Sequence, residues 1–115
     1  MPKNLSPSEV ARLALQCLDL TSLNDADGEA EVAQLCRRAQ GPHGPVAAVC
    51  VWPHLAAFAR KQLPPHIAVA AVANFPAGGS DPEPALRDVR QIAEAGAQEV
   101  DVVLPWRALR DGDEA

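Results

Sequence analysis

An acidic residue lies inside one of the most apolar stretches of the sequence. In EVDVVLP, residues 99–105, Asp101 interrupts a run whose length and composition are typical of a buried strand. An isolated carboxylate in a dry interior is costly, so Asp101 is expected to be protonated, paired or engaged in proton transfer. The alternative is a structural carboxylate that accepts hydrogen bonds from the backbone or from a neighbouring hydroxyl.

Four further residues could take part in the same chemistry, because they lie in or at the end of other apolar runs. Asp19 and Thr21 lie in LQCLDLTSL, Cys50 lies in VAAVCVW, and Asn74 follows the apolar part of IAVAAVANF. Three of them also have structural interpretations. Asp19 could cap the following turn, Cys50 could be ordinary core, and Asn74 could fix a turn.

Residues that commonly bind metals do not cluster in this sequence. His43, His54 and His66 lie in or beside proline-rich turns without an HxxxH pattern, and we expect them at the surface. The 3 cysteines are widely spaced and form no CxxC motif. The sequence therefore predicts free thiols, no metal site and no cofactor.

Composition limits the classes of protein that fit. A length of 115 residues, with 48% hydrophobic residues, suits one domain over residues 1–115 with a packed core. A net charge of -5 provides no basic field for nucleic acid or an anionic membrane. No apolar run approaches the roughly 20 residues of a membrane span, and MPKNLSPSEV lacks the core of a signal peptide. We expect a cytoplasmic protein.

A repeating strand–helix pattern positions these residues. A leading helix is predicted at SPSEVARLAL, since Ser6 can cap it and Pro7 suits its first turn. Strands are then predicted within residues 15–23, 46–52, 67–75 and 99–105. Amphipathic helices are predicted between them: one between Asp25 and Gln40, one that begins at Pro53, and one that Gly96 ends.

This pattern predicts an α/β fold of about four parallel βα units. Strands that are apolar on both faces and alternate with amphipathic helices are typical of parallel βαβ units. Periodicity alone fits both an open doubly wound sheet and a TIM barrel. A phosphate-binding GxGxxG is absent, and we interpret the glycines of FPAGGS as a flexible turn.

Side-chain alternation predicts one polar face on the sheet, opposite an apolar face that meets the helices. On this basis one face carries these residues of the first, second and fourth strands: Cys17, Asp19, Thr21, Ala48, Cys50, Glu99, Asp101 and Val103. Val100, Val102 and Leu104 are predicted on the helix side. In a barrel the polar face would point inward, where such folds place their chemistry.

The strings LDLTSLNDADGE, AVCVWP, VANFPAGG and EAGAQEVDVVLPWRAL resemble, in order and spacing, the N-terminal part of deoxyribose-phosphate aldolase. The resemblance runs from about residue 18 to 112. It implies a TIM barrel and a metal-free class I aldolase of deoxyribonucleotide catabolism. Such an enzyme reversibly cleaves 2-deoxy-D-ribose 5-phosphate to glyceraldehyde 3-phosphate and acetaldehyde.

The resemblance also implies roles for individual residues. Asp101 matches the aspartate that lies beside the reactive lysine of the family and relays protons. Asp19 matches an interior aspartate on the first strand, and Cys50 matches a cysteine that lines the pocket. With Thr21 and Asn74, these two are candidates for the substrate pocket.

The sequence departs from the family at the reactive amine. Its lysines are Lys3, near the N-terminus, and Lys61, at the predicted exposed end of a helix, so the Schiff-base lysine is missing. A complete barrel needs about 250 residues, and we expect this chain alone to be inactive. The expected partner is the C-terminal half of the barrel or another copy of the chain. The alternative function is a non-catalytic, self-associating half barrel.

Overall fold

The computed structural model describes residues 4–114 and contains a four-stranded parallel sheet. In chain order the elements are α1 (Pro7–Gln16), β1 (Asp19–Thr21), α2 (Glu29–Arg38), β2 (Gln40–Gly41), β3 (Gly44–Pro45), β4 (Ala48–Val51), a 3₁₀ turn (Pro53–Leu55), α3 (Ala56–Gln62), β5 (Ala68–Ala73), α4 (Pro82–Glu94), β6 (Glu99–Val102) and α5 (Trp106–Arg110). The strand order is β1-β4-β5-β6, with every neighbouring pair parallel. The predicted succession of βα units is confirmed.

Helix α1 begins as its sequence predicts. The Ser6 hydroxyl accepts a hydrogen bond from the Glu9 N–H at 3.2 Å, and a Glu9 carboxylate oxygen accepts one from the Ser6 N–H at 3.1 Å. This reciprocal pair satisfies two donors that would otherwise be free at the helix N-terminus. The helix extends to Gln16, so Cys17 is its C-cap and is exposed. The prediction that Cys17 shares a strand face with Asp19 is therefore wrong.

The core lies between one face of the sheet and the helices. Its fully buried side chains include Val32 on α2, Val49 on β4, Val69 on β5, Ile67 just before β5 and Ile92 on α4. Burial of each such side chain stabilises the fold by about 1.5–3 kcal/mol. Among residues 4–114 the helices pack against one face of the sheet, an arrangement that fits part of a barrel.

Arg60 holds the end of α3 against the start of β5 and the segment before β6. Its guanidinium donates to the carbonyl oxygens of Leu63, Pro64 and Ile67 at 3.3, 2.7 and 2.9 Å. It also donates to the side-chain oxygen of Gln98 at 2.5 Å, and that oxygen accepts the Val69 N–H at 2.9 Å. This network fixes the register of β6, which among residues 4–114 has a strand neighbour on one side only.

Three further features differ from the sequence-based expectations. GPHGP was predicted only to end a helix, but it forms the turn of the antiparallel β2–β3 hairpin. Helix α5 was not predicted. Val100 and Val102 were expected to be buried against helices, yet they are 37% and 46% exposed. The reason is that β6 is an edge strand and α4 packs mainly on β5.

Within residues 4–114, no helix is both long enough and apolar enough to cross a membrane.

Candidate active site

The sheet face opposite the helices carries four of the five predicted site residues. The register places Thr21, Cys50, Ala70 and Glu99 in one row across the four strands, with Asp101 one pleat further along β6. Asp19 lies one pleat before Thr21 on β1. Because side chains two residues apart share a face, these residues all point to the same side, as predicted. We call this surface the inner face.

Cys50 lies near the middle of the inner face and is its most enclosed polar group. Its side chain is 2% exposed and packs with Ala70 and Val72. Burial, followed by the negative charges of Asp101, Asp19 and Glu99, raises the pKa of the Cys50 thiol to about 11. The negative charges of all three carboxylates therefore act on the same group of the inner face, the Cys50 thiol. The thiol stays protonated at neutral pH and lines the face as a neutral group.

Asp101 is exposed, contrary to the expectation of a buried carboxylate. The physical reason is that β6 is an edge strand, and no element of residues 4–114 covers the inner face beside it. Water solvates the carboxylate, so its position requires no partner in this structure. Asp19 is also exposed, and the Thr21 hydroxyl donates to the Asp19 carbonyl oxygen at 3.1 Å.

Asn74 acts as a turn residue in this structure. Its backbone is left-handed, with φ 58°, and its side-chain amide donates to the carbonyl oxygens of Gly79 and Val103 at 3.0 Å each. Its own N–H donates to a carboxylate oxygen of Asp88, also at 3.0 Å. These bonds tie the loop after β5 to the end of β6. The structural interpretation of Asn74 is the one its contacts support.

Aromatic side chains at the carboxyl ends of β4 and β5 were not among the predicted site residues. The Trp52 indole N–H donates to the Asn24 carbonyl oxygen at 3.0 Å, and its ring meets Phe75 edge-on with centroids 5.4 Å apart. Trp52 also packs against the Cys50 group on the inner face. A bulky aromatic residue directly after a buried strand, as in CVWP, is the sequence signal that could have indicated this contact.

The loop after β1 has a polar network of its own. The Ser22 hydroxyl donates to Asp27 at 2.5 Å, and the Asn24 N–H donates to the same carboxylate oxygen at 3.1 Å. The hydrogen bond from Ser22 is the main cause that lowers the pKa of Asp27. This network holds the loop in the position where the Asn24 carbonyl oxygen accepts the hydrogen bond from the Trp52 indole N–H.

The inner face supplies carboxylates but no amine. Among the described residues, no three His, Cys, Asp or Glu side chains are grouped so as to hold a metal ion. Lys61 is exposed in the last turn of α3, as predicted, and Lys3 lies outside the described residues. His43, His54 and His66 are exposed, as predicted. The arrangement can accept and return protons, but it contains no nucleophilic amine within the described inner face.

The chain was compared with known protein families and with solved structures, and the family comparison assigns it to a family. Residues 13–115 match the family model of the DeoC/LacD family aldolases. The chain belongs to the DeoC/LacD family of aldolases. This match includes β1, β4, β5 and β6, and therefore the whole inner face.

Solved structures show how much of a family fold is present. A proposed deoxyribose-phosphate aldolase from Coccidioides immitis is 25% identical, with a TM-score of 0.78 over 87% of this chain and 39% of its own. One from Toxoplasma gondii ME49 is 25% identical, with a TM-score of 0.79 over 91% and 40%. The tetrameric deoxyribose phosphate aldolase from Aeropyrum pernix is 27% identical, with a TM-score of 0.66 over 89% and 42%.

This DeoC/LacD chain thus spans about two fifths of the length of the structures it matches. Its four parallel strands, with helices on one face, form a partial barrel. Periodicity alone left two architectures open, a doubly wound sheet and a TIM barrel, and the comparisons support the TIM barrel. They also confirm the resemblance to the N-terminal part of the family.

Proposed function

We propose that this chain forms the N-terminal half of a deoxyribose-phosphate aldolase site. The reaction is the reversible cleavage of 2-deoxy-D-ribose 5-phosphate to glyceraldehyde 3-phosphate and acetaldehyde. The observation that carries the proposal is the family match over residues 13–115, which contains Asp101 on the same inner face as Cys50 and Asp19. A C-terminal half of the barrel would supply the missing strands and the reactive lysine. A cytoplasmic location stays a prediction.

In this proposal the amine comes from the partner and the acid from this chain. The lysine attacks the sugar carbonyl, and loss of water gives an iminium that withdraws electrons as the carbon–carbon bond breaks. Glyceraldehyde 3-phosphate leaves, the resulting enamine takes up a proton, and hydrolysis releases acetaldehyde and regenerates the lysine. Each of these steps requires a proton to move, and a carboxylate held near the amine can accept and return it.

Asp101 is the residue we propose for this proton transfer. It is exposed on the edge strand where the next barrel strand would lie, so an amine from that half could approach it without first displacing another side chain. A cation beside Asp101 would stabilise its carboxylate form. The buried Cys50, with its protonated thiol, would form the neutral wall of the pocket near Asp19 and Thr21.

The test is reconstitution with a C-terminal half taken from a deoxyribose-phosphate aldolase. We expect the chain alone to give no retro-aldol activity and the mixture to release glyceraldehyde 3-phosphate. Asp101→Asn in the mixture should reduce kcat by about 100-fold or more, the usual range for loss of a positioned acid or base. The measurement is a coupled assay of glyceraldehyde 3-phosphate release.

Asp81→Asn is the matched control. Asp81 is exposed and caps α4 by accepting the Glu83 N–H at 3.1 Å. Asparagine caps a helix as well as aspartate does, so this variant loses the same charge without loss of the cap. Its mixture should keep full activity. If the Asp101→Asn mixture were equally active, Asp101 would have no part in the mechanism.

A second candidate is a non-catalytic half barrel that associates with itself. The two sheet edges that lack a strand neighbour in residues 4–114, together with the exposed residues of β6, favour this alternative. It predicts a stable oligomer of this chain without any complement, which sedimentation velocity would detect. A monomer over the accessible concentration range would exclude it.

A further inference from the structure

Strands β1 and β6 are the two edges of the sheet, and each has only one neighbour among the described residues. An unpaired edge is a template for another strand, and proteins often prevent unwanted pairing with charged side chains that point inward from the edge. In this chain, Asp19 lies on β1, while Glu99 and Asp101 lie on β6. Both edges therefore carry carboxylates on the inner face.

Within residues 4–114, no basic side chain forms a salt bridge with these carboxylates. The inner-face positions of the four strands are otherwise occupied by neutral residues: Thr21, Ala48, Cys50, Ala68, Ala70 and Val72. Arg107, the first basic residue after β6, donates to the Ala77 carbonyl oxygen at 3.1 Å and stacks on Trp106. The salt bridge found among residues 4–114 joins Arg110 to Asp111 on exposed side chains beyond β6.

The distribution of charge also differs between the centre and the edges of the inner face. Its centre is apolar and closely packed, with Cys50, Ala70 and Val72 each no more than 4% exposed. The carboxylates lie only on the outer strands, where a partner's strands would be added. All three raise the pKa of the central Cys50 thiol, so their fields overlap inside the half barrel.

We propose that these edge carboxylates select the partner: the inner face binds a parallel βα segment with basic side chains on its inner face and rejects a second copy of this chain. This inference rests on the half-barrel assignment and specifies the partner of the proposed function. Two copies could close an all-parallel barrel of eight strands only by setting β6 of each against β1 of the other. That closure would enclose the carboxylates of both copies without a counter-charge, and juxtaposed like charges strongly disfavour association.

A charge-reversed copy of the chain is the probe. Asp19→Lys, Glu99→Lys and Asp101→Lys in one chain preserve the strand geometry and give a partner with basic edges. We expect the wild type and this variant each to be monomeric, and their mixture to sediment as a one-to-one dimer. The mixed pair should associate more tightly than either chain with itself by on the order of 100-fold, with weakening by salt.

The matched control carries the same change of charge elsewhere. Asp25, Glu94 and Glu114 are exposed and lie outside the strands, and their replacement by lysine in one chain should give no dimer with the wild type. Dimer formation with this control would overturn the proposal, because general charge attraction would then explain the binding. A wild-type homodimer as tight as the mixed pair, or the absence of a mixed dimer, would also overturn it.

A second variant tests the proposal even if the charge-reversed chain folds poorly. Asp19→Asn, Glu99→Gln and Asp101→Asn in one chain remove the charges with little change in shape. This neutral chain should associate with itself at least about tenfold more tightly than the wild type does. Equal self-association would overturn the proposal. Neither experiment uses enzyme activity, so failure of the proposed aldolase reaction would leave this result unaffected, and the converse also holds.

Discussion

At the scale of single residues, Cys50 connects the chemistry of the inner face with the stability of the chain. Its thiol has a pKa of about 11 in the folded state, against an ordinary value of 9.0, because burial and three carboxylates disfavour the thiolate. The folded state therefore retains this proton at pH values where the unfolded chain loses it. The resulting stabilisation is complete below pH 9, and it is lost as the pH rises from 9 to about 11.

Cys50→Ser should remove this dependence on pH, since a serine hydroxyl does not titrate in this range. Between pH 9 and 11 we expect the free energy of unfolding of the wild type to fall faster than that of the variant, by up to about 1.4 kcal/mol per pH unit. Urea unfolding at several pH values measures both slopes. Cys36, whose pKa is also raised by burial, contributes equally to both proteins. Equal slopes would contradict the buried, negatively charged environment of the Cys50 thiol.

Asp101 shows what sequence patterns can predict at this scale. The sheet face on which Asp101 lies could be predicted from the alternation of side chains along a strand. The structure confirms that Asp101 shares that face with Asp19 and Cys50. Its burial was predicted wrongly, because burial depends on what lies beside β6, and a local pattern contains no such information. The turn role of Asn74 was recognised as an alternative, since asparagine readily adopts a positive φ.

At the scale of elements, the order of strands and helices could be predicted because each carries its own periodic signal. The Ser6 cap and the stripe of buried residues on α2 are examples. The β2–β3 hairpin and α5 were missed, since 2 and 5 residues are too few for a period to show. Contacts between loops were also beyond prediction, because they join segments far apart in the sequence.

Gly78 makes the most constrained of these loop contacts. Its φ is +64°, and a Cβ there would lie 2.7 Å from the Leu104 carbonyl oxygen and 2.8 Å from side-chain atoms of Val103 and Trp106. Gly78→Ala should therefore separate the loop after β5 from the segment after β6. We expect a loss of about 1–3 kcal/mol in the free energy of unfolding, measured by urea denaturation.

Gly79→Ala is the neighbouring control. A Cβ at Gly79 would meet nothing within 4 Å, and its φ lies outside the left-handed region. This variant should unfold within about 0.5 kcal/mol of the wild type. If the two alanine variants were equally stable, the loop would not be packed against the end of β6 as the structure describes.

At the scale of the whole molecule, the central strands of the sheet are buried and its outer strands are exposed. The helix side contains the main core, and β4 and β5 have strand neighbours on both sides. In contrast, every residue of β6 is exposed and α1 has no buried residue. The same exposed edges that could accept a complementary half also leave part of the molecule without tertiary protection.

Native-state hydrogen exchange should therefore divide the chain into two classes. Amides of Val49, Val51, Val69 and Ala71, whose residues are fully buried in the central strands, should exchange slowest, near the rate set by global unfolding. Amides of β6 and α1 should exchange at least about tenfold faster, through local opening. Exchange in β6 as slow as in β4 would mean that its edge is covered in solution. Since the basic complement that we propose is absent from such a sample, that result would indicate contact with a second copy and would contradict the electrostatic selection at the edges.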